Sequence, residues 1–393
     1  MDKLYTCCDN DMRFHKHYNC QSHLSFLNID HNCLQPHIWR ELESGMWRDL
    51  DVNAFLYNSH LLPSRKNNQL PLFPNFKQIE PGVKLVDNKF ELDLYRPKPV
   101  NPGYEFFLES AEKFFYSLNA KRIGVHLSGG LDSSIIICLL KELNIPFVPI
   151  GLVSETFEFR TERRIQEKLL EYGENGMLIS MEEHPFYSDL KRIPKHQIPA
   201  GFFKSYSGNL AMAKAFSKLG CDVVLTGQGG DTLFVDGIPS LEHVGFNIAD
   251  EFHNCDEADL IYHPHGIKLV SFYSDPCVID MITSARLNQP DDVLKKWARD
   301  RFKSILIPEL YNYTYCADFI GMTMWGLETA RPVIRELMEE AYDHTHNDIF
   351  SESNVKKFQS QDIFSFEHYD YIHFCSLIAV AVWYHSILSN DNE

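Results

Sequence analysis

The sequence predicts an α/β fold: a doubly wound parallel sheet with C-terminal helical additions and a small β-rich region at the N-terminus. From residue 103 to about 234, short apolar runs alternate with helix-length segments, which is the pattern of βαβ units covered on both faces. From about residue 241 onward the helical pattern dominates. The chain has 393 residues, 44% of them hydrophobic, enough for two or three domains with a sizeable core.

In chain order, residues 1–100 are rich in His, Asn and Cys and poor in long helical periodicity. Residues 79–90 read as strand, an Asp87-Asn88 turn, then strand. A proline-studded run, Tyr95-Arg-Pro-Lys-Pro-Val-Asn-Pro-Gly103, suits a linker because proline fixes φ. It separates a first domain, 1–100, from a second, 101–393. Strands are expected at 122–127, 147–153, 176–181 and 222–225, and helices at 133–143, 161–172 and 209–219. Further helices are expected around 291–306, 317–326, 333–342 and 371–388. A ligand of such a sheet belongs at the carboxyl ends of the strands.

Charge and composition exclude several function classes. With 37 Lys+Arg against 54 Asp+Glu, the formal charge is −17, the wrong sign for a general grip on nucleic acid. The start, Met1-Asp2-Lys3-Leu4-Tyr5, has no apolar signal core, so the ten cysteines are expected to be reduced thiols of a cytoplasmic protein. The longest apolar stretch, 374–384, falls short of the roughly 20 residues of a membrane span and reads as a buried helix.

The segment Val125-His-Leu-Ser-Gly-Gly-Leu-Asp-Ser-Ser134 lies between the first strand of the alternating region and its helix. Two glycines permit a tight turn and bring backbone N–H groups close to an anion. Ser128, Ser133 and Ser134 add hydroxyls, and the following helix offers its positive end. A Walker A loop carries a lysine before its Ser/Thr; this one carries none, so neutralising a triphosphate falls to Mg²⁺, with Asp132 the carboxylate to hold it. A purely structural Gly-Gly turn is the alternative. His126, inside the strand, reads as a packed histidine rather than a base.

This segment resembles the pyrophosphate loop of the N-type ATP pyrophosphatases, and its Leu-Asp-Ser-Ser ending resembles the asparagine synthetase branch. Leu225-Thr-Gly-Gln-Gly-Gly-Asp-Thr-Leu-Phe234 resembles the branch's second glycine motif, and Met322-Thr-Met-Trp-Gly-Leu-Glu-Thr-Ala-Arg-Pro332 its Gly-Leu-Glu segment on the acyl-acceptor side. The resemblance spans roughly residues 70–345. It implies ATP and Mg²⁺ as cofactors, with a carboxylate attacking the α-phosphorus and an amine then displacing AMP. By the same resemblance, Leu127, Ser128, Gly129, Gly130, Leu131, Asp132, Ser133 and Ser134 bind nucleotide together with Leu152, Gly227, Gly229 and Gly230. Asp132 and Asp231 hold the metal. Glu328 orients the attacking amine or takes its proton; a plain surface carboxylate is the other reading. A late lysine offsets transition-state charge, for which Lys356 and Lys357 are candidates, or simply a solvated pair.

Departures narrow the substrate. The branch's glutaminase nucleophile is a Cys after Met1, where this chain has Asp2, and 100 residues is about half such a domain. Residues 1–100 therefore read as a truncated, glutaminase-like remnant, and the amine must come from elsewhere. Gln228 stands where the branch has Glu, a difference that places it among the catalytic candidates, and Ile320-Gly321 replaces an expected Asp-Arg pair. β-Lactam synthetases and lasso-peptide cyclases also lack a working glutaminase, and residues 229–240 look closest to the cyclases. Their implied substrate is a peptide or small-molecule carboxylate, with a leader peptidase or recognition protein as partner. An amide synthetase using ammonia or a small amine, and a non-catalytic scaffold relative, are the rival expectations.

Two further clusters lie outside these motifs. Residues 7–37 hold Cys7, Cys8, His15, His17, Cys20, His23, His31, Cys33 and His37, without the pair spacing of known zinc modules, and read as an irregular docking or substrate-binding surface. The run Lys295-Lys-Trp-Ala-Arg-Asp-Arg-Phe-Lys303 reads as a solvated helix face, with a dock for an acidic leader or partner as the minority reading.

Overall fold

The computed structural model describes residues 95–155, 160–196, 201–242, 244–245, 258–312, 320–345, 350, 356 and 368–388, together with five short strands ahead of residue 95. Strands β1 (Ser25–Asn28), β2 (Cys33–Gln35) and β3 (Phe76–Ile79) form an antiparallel sheet in the order β2-β1-β3. Strands β4 (Val83–Val86) and β5 (Lys89–Leu92) pair antiparallel; the Asp87-Asn88 turn expected between them lies outside the described residues.

The expected α/β core is present. Strands β6 (Ile123–His126), β7 (Phe147–Val153), β8 (Met177–Ser180), β9 (Val223–Thr226) and β10 (Lys268–Ser271) form one sheet in the order β10-β9-β6-β7-β8. Every pairing is parallel, with Ile123 opposite both Phe147 and Val223. The chain winds outward from β6 through β7 to β8, then returns to the other side of β6 for β9 and β10. Strand order therefore reverses between β6 and β9, and the two glycine motifs follow those two strands. An open α/β sheet has its binding crevice at such a switch point.

Alternation along the strands feeds two cores. Val223 and Leu225 of β9 face one core, and Val224 between them faces the other. The first core collects α1 (Tyr104–Ser117), α2 (Leu131–Glu142), α3 (Arg160–Leu170) and α6 (Pro276–Ala285). The second collects α4 (Tyr206–Lys218), α9 (Ile320–Thr345) and α10 (His368–Leu388). Gly124 lets α4 approach closely, because a Cβ there would come within 2.6 Å of the Phe216 ring.

Several boundaries differ from expectation. Residues 317–326 and 333–342 read as two separate helices, yet α9 runs from Ile320 to Thr345 as one, through Pro332. An interior proline costs about 3 kcal/mol; the buried stripe of Leu327, Ala330, Ile334, Leu337, Met338 and Ala341 packed in the α10 core offsets it. Residues 291–306 do not form one helix: α7 covers only Lys296–Arg301, and α8 (Pro308–Asn312) follows separately. Strand β10 and helices α1 and α6 carry no prior expectation. Helix α6 is started by Asp275, whose carboxylate accepts from the backbone N–H of Cys277 (2.8 Å) and Val278 (3.3 Å).

The apolar stretch 374–384 is the buried heart of α10, with Trp383 fully enclosed. No helix among the described residues is long and apolar enough to cross a membrane.

Candidate active site at the sheet switch point

The loop leaving β6 is shaped by its glycines. Gly129 adopts φ +81°, and a Cβ there would lie 2.7 Å from the Glu162 carbonyl on α3, so position 129 requires glycine twice over. The Ser128 hydroxyl accepts from the Gly130 N–H (3.2 Å) and lies 2.8 Å from the Ser133 hydroxyl. Ser128 is exposed. Ser134, by contrast, is fully buried and donates to the Gly130 carbonyl (2.6 Å), so its hydroxyl serves the first turn of α2 rather than the opening. Leu131 and Leu127 are core side chains, and the Leu127 N–H is taken up by the Ile150 carbonyl (2.8 Å).

The second glycine motif interlocks with the first. A Cβ on Gly227 would lie 2.8 Å from the Ser133 backbone nitrogen, and one on Gly230 would lie 2.5 Å from Cγ of Asp132. Gly229, at φ +82°, turns the chain into the short helix α5 (Gly230–Phe234). Both acids stand in first helical turns, Asp132 on α2 and Asp231 on α5. The Gln228 carbonyl accepts from the Ser271 hydroxyl at the end of β10 (2.7 Å), which ties a third strand to the motif. Tyr273 donates to the Asp132 carbonyl (2.9 Å) from the same side.

Between the two acids sits Lys295. Its ammonium lies 2.8 and 2.7 Å from the two Asp132 carboxylate oxygens and 2.5 Å from the Asp231 carboxylate. The Lys295 side chain is 12% exposed, against 16% for Asp132 and 81% for Asp231. Burial pushes the Asp132 carboxyl up to about 6 even though Lys295 pulls the other way. Burial likewise opposes the Lys295 charge, but Asp132 and Asp231 outweigh it and hold the ammonium above its ordinary value. The backbone of Lys295 is left-handed, φ +51°, which costs a lysine roughly 1–2 kcal/mol.

This corrects the expectation of a solvated basic face at 295–303. Lys295 is an inward ion pair, and Arg299 is buried with its Nε–H donating to the Leu310 carbonyl (3.2 Å). Arg301 bonds the Pro102 carbonyl and covers the Tyr104 ring. Lys296 and Lys303 alone keep the exposed placement.

Gln166 of α3 is the other residue that the motifs do not point to. Its buried amide donates to the carbonyls of Leu127 (2.9 Å) and Leu152 (2.8 Å), clamping the carboxyl ends of β6 and β7. Gly151 faces the Leu127 carbonyl so closely that no Cβ fits. Beyond β7, Glu182 accepts from the Ser154 hydroxyl (2.8 Å), the Ser180 hydroxyl (2.8 Å) and the Glu155 N–H (2.9 Å). Burial works against its charge, and these donors hold it below the usual carboxylate range. Met322 of α9 reaches the same corner, its sulfur 3.6 Å from the Ser154 hydroxyl.

Glu328, on α9 and half exposed, pairs with Arg331 one turn on. Lys356 is exposed; Lys357 lies outside the described residues, as do the side chains of the Cys/His group at 7–37. His126 packs as expected, its ring stacked on Phe216 and its Nε2 2.7 Å from the Tyr262 hydroxyl.

The donor set fits a hard divalent cation: two carboxylates converge on one point that already attracts a positive charge. No group of three or more His, Cys, Asp or Glu among the described residues could hold a metal. A Mg²⁺ held by Asp132 and Asp231 would therefore complete its six oxygen ligands from phosphate and water.

The profile of the family described as Asparagine synthase matches residues 118–358, a span that holds both glycine motifs, Lys295 and Glu328. No curated protein matches the chain.

Proposed function

The chain belongs to the asparagine synthase family, whose members form amide bonds at the expense of ATP and typically with Mg²⁺, and on that premise we propose that it activates a carboxylate as its adenylate and closes an amide within the same peptide or natural-product precursor. A carboxylate oxygen attacks the α-phosphorus, the bond to the β-phosphate breaks and pyrophosphate leaves. An amine then attacks the acyl carbon, AMP departs, and the amine's proton passes to a base, for which Glu328 is the candidate.

In this reading Ser128 and the backbone at Gly129 and Gly130 cradle the departing pyrophosphate. Asp132 and Asp231 would hold Mg²⁺, which supplies charge neutralisation at the phosphates. Gln166 fixes the strand ends against which the adenine lies, beside Leu152. The protein's contribution is mainly positioning and electrostatics. Two glycine motifs locked together at the switch point, with a pair of carboxylates converging beside an exposed serine, carry the proposal.

What supports a substrate other than free aspartate is Ile320-Gly321 in place of an Asp-Arg pair, and the likeness of residues 229–240 to lasso-peptide cyclases. A precursor peptide with its leader peptidase or recognition protein would then be the partner. Free thiols at Cys138, Cys221 and Cys277 support a reducing, cytoplasmic setting.

The test is AMP and pyrophosphate release from ATP in the presence of candidate peptides or acids. Turnover is expected with a peptide carrying both an acid side chain and a free amine, and Asp132→Asn should lower it at least a hundredfold. Release only when ammonia or a second amine is added would move the protein to the intermolecular class. The second reading, a non-catalytic relative, is favoured by the ammonium of Lys295 between the carboxylates; absence of both ATP binding and turnover would establish it.

A further inference from the structure

We propose that Lys295 is a resident counter-cation that closes the carboxylate pair to divalent metal in the nucleotide-free protein, so that metal enters only together with the phosphates. The proposal rests on the reading that Asp132 and Asp231 are the metal carboxylates.

The ammonium has three N–H donors, and the two Asp132 oxygens and the Asp231 carboxylate stand at 2.8, 2.7 and 2.5 Å to receive them. A divalent cation seeking the same oxygens meets a like charge already within bonding distance. With a triphosphate absent, the two carboxylates cannot neutralise both cations. With it present, the added negative charge can hold both.

Lys295 is also delivered to this point by a built turn rather than by a loose side chain. The Lys295 N–H donates to the Asp292 carbonyl (2.8 Å), and the Asp292 carboxylate accepts from the Trp297 N–H (2.8 Å). The turn is fastened to the segment just after Asp231. The Asp292 N–H donates to the Val235 carbonyl (2.7 Å), the Gly237 N–H to the Asp291 carboxylate (2.8 Å), and the buried Arg286 to the Asp236 carbonyl (2.7 Å). Lys295 and Asp231 therefore belong to one unit, while Asp132 stands on the other glycine loop. The left-handed backbone at Lys295 is held by this unit, as strained positions at functional sites are.

The experiment uses Mn²⁺ alone as the probe, with free Mn²⁺ read by electron paramagnetic resonance on the full chain. The wild type without nucleotide should bind Mn²⁺ at least tenfold more weakly than Lys295→Met. Lys295→Gln, which keeps N–H donors but loses the charge, should match Lys295→Met, while Lys295→Arg should behave as the wild type. Adding Asp132→Asn to Lys295→Met should abolish the gain. A Mg²⁺-dependent rise in melting temperature without nucleotide should appear in Lys295→Gln and not in the wild type. Equal Mn²⁺ affinity of wild type, Lys295→Met and Lys295→Gln, while a non-hydrolysable ATP analogue still recruits Mn²⁺ to the wild type, overturns this proposal alone. Failure of the analogue to recruit Mn²⁺ to any variant overturns the metal assignment beneath it.

Discussion

Single residues set the spacing of the crevice proposed to take the nucleotide. The glycine at 227 faces the backbone of the α2 N-terminus, where even one methyl group would intrude at 2.8 Å from the Ser133 nitrogen. Because that neighbour is main chain and not a flexible tip, Gly227→Ala must push the two motifs apart. We expect a loss of about 1–3 kcal/mol in stability from overpacking, with affinity for an ATP analogue falling at least tenfold. Calorimetric titration alongside urea unfolding checks both, and an unchanged affinity would show that the motifs can part without harm to the site. Gln166 acts differently: it touches the crevice only through the Leu127 and Leu152 carbonyls it secures, which makes it a positioning residue.

At the level of elements, α9 and α10 explain why a chain with a proline in a long helix folds as it does. Helix α10 is apolar on nearly every side and sits in the second core, with Trp383 fully buried and its indole N–H donating to the His196 carbonyl (2.8 Å). Trp383→Ala should destabilise the protein by about 3–5 kcal/mol, from lost transfer energy and the cavity left behind. A urea denaturation curve measures this; a change below 1 kcal/mol would mean that α10 contributes little to the core. The hydrophobic period of residues 320–345 is visible in the sequence, but whether the packing of α9 on α10 outweighs the proline depends on a partner helix more than twenty residues away.

For the whole molecule, buried histidines tie stability to pH. His196 is 2% exposed, and burial holds it down from the ordinary 6.5 to about 4, despite a hydrogen bond to the Pro194 carbonyl. Its folded value is below its unfolded one, so the stability it contributes is complete above pH 6.5 and is lost as pH falls toward 4. That amounts to about 3 kcal/mol in full. His126, also held at about 4 by burial, adds a change of the same sign. Asp132, raised by burial to about 6, pulls the other way, but the two histidines together outweigh it. Unfolding free energy should therefore drop between pH 6.5 and 5, and His196→Gln should flatten that drop. An equal slope in the variant would remove His196 from the account.

Read alone, the sequence establishes the α/β class and points to the candidate site. Alternating apolar runs and helices require a parallel sheet with covered faces, and a serine-glycine bend between strand and helix has few other uses. Both are local patterns, readable within some ten residues. Long-range packing alone brings Gly227 and Gly230 against Asp132, sets Gln166 across two strand ends and places Lys295 between the acids. Lys295 stands 163 positions from Asp132 in a run that reads as a solvated helix face. Its turn from helix to left-handed backbone is imposed by contacts with residues 233–238, and no periodicity in residues 295–303 encodes a bond to a partner so far along the chain.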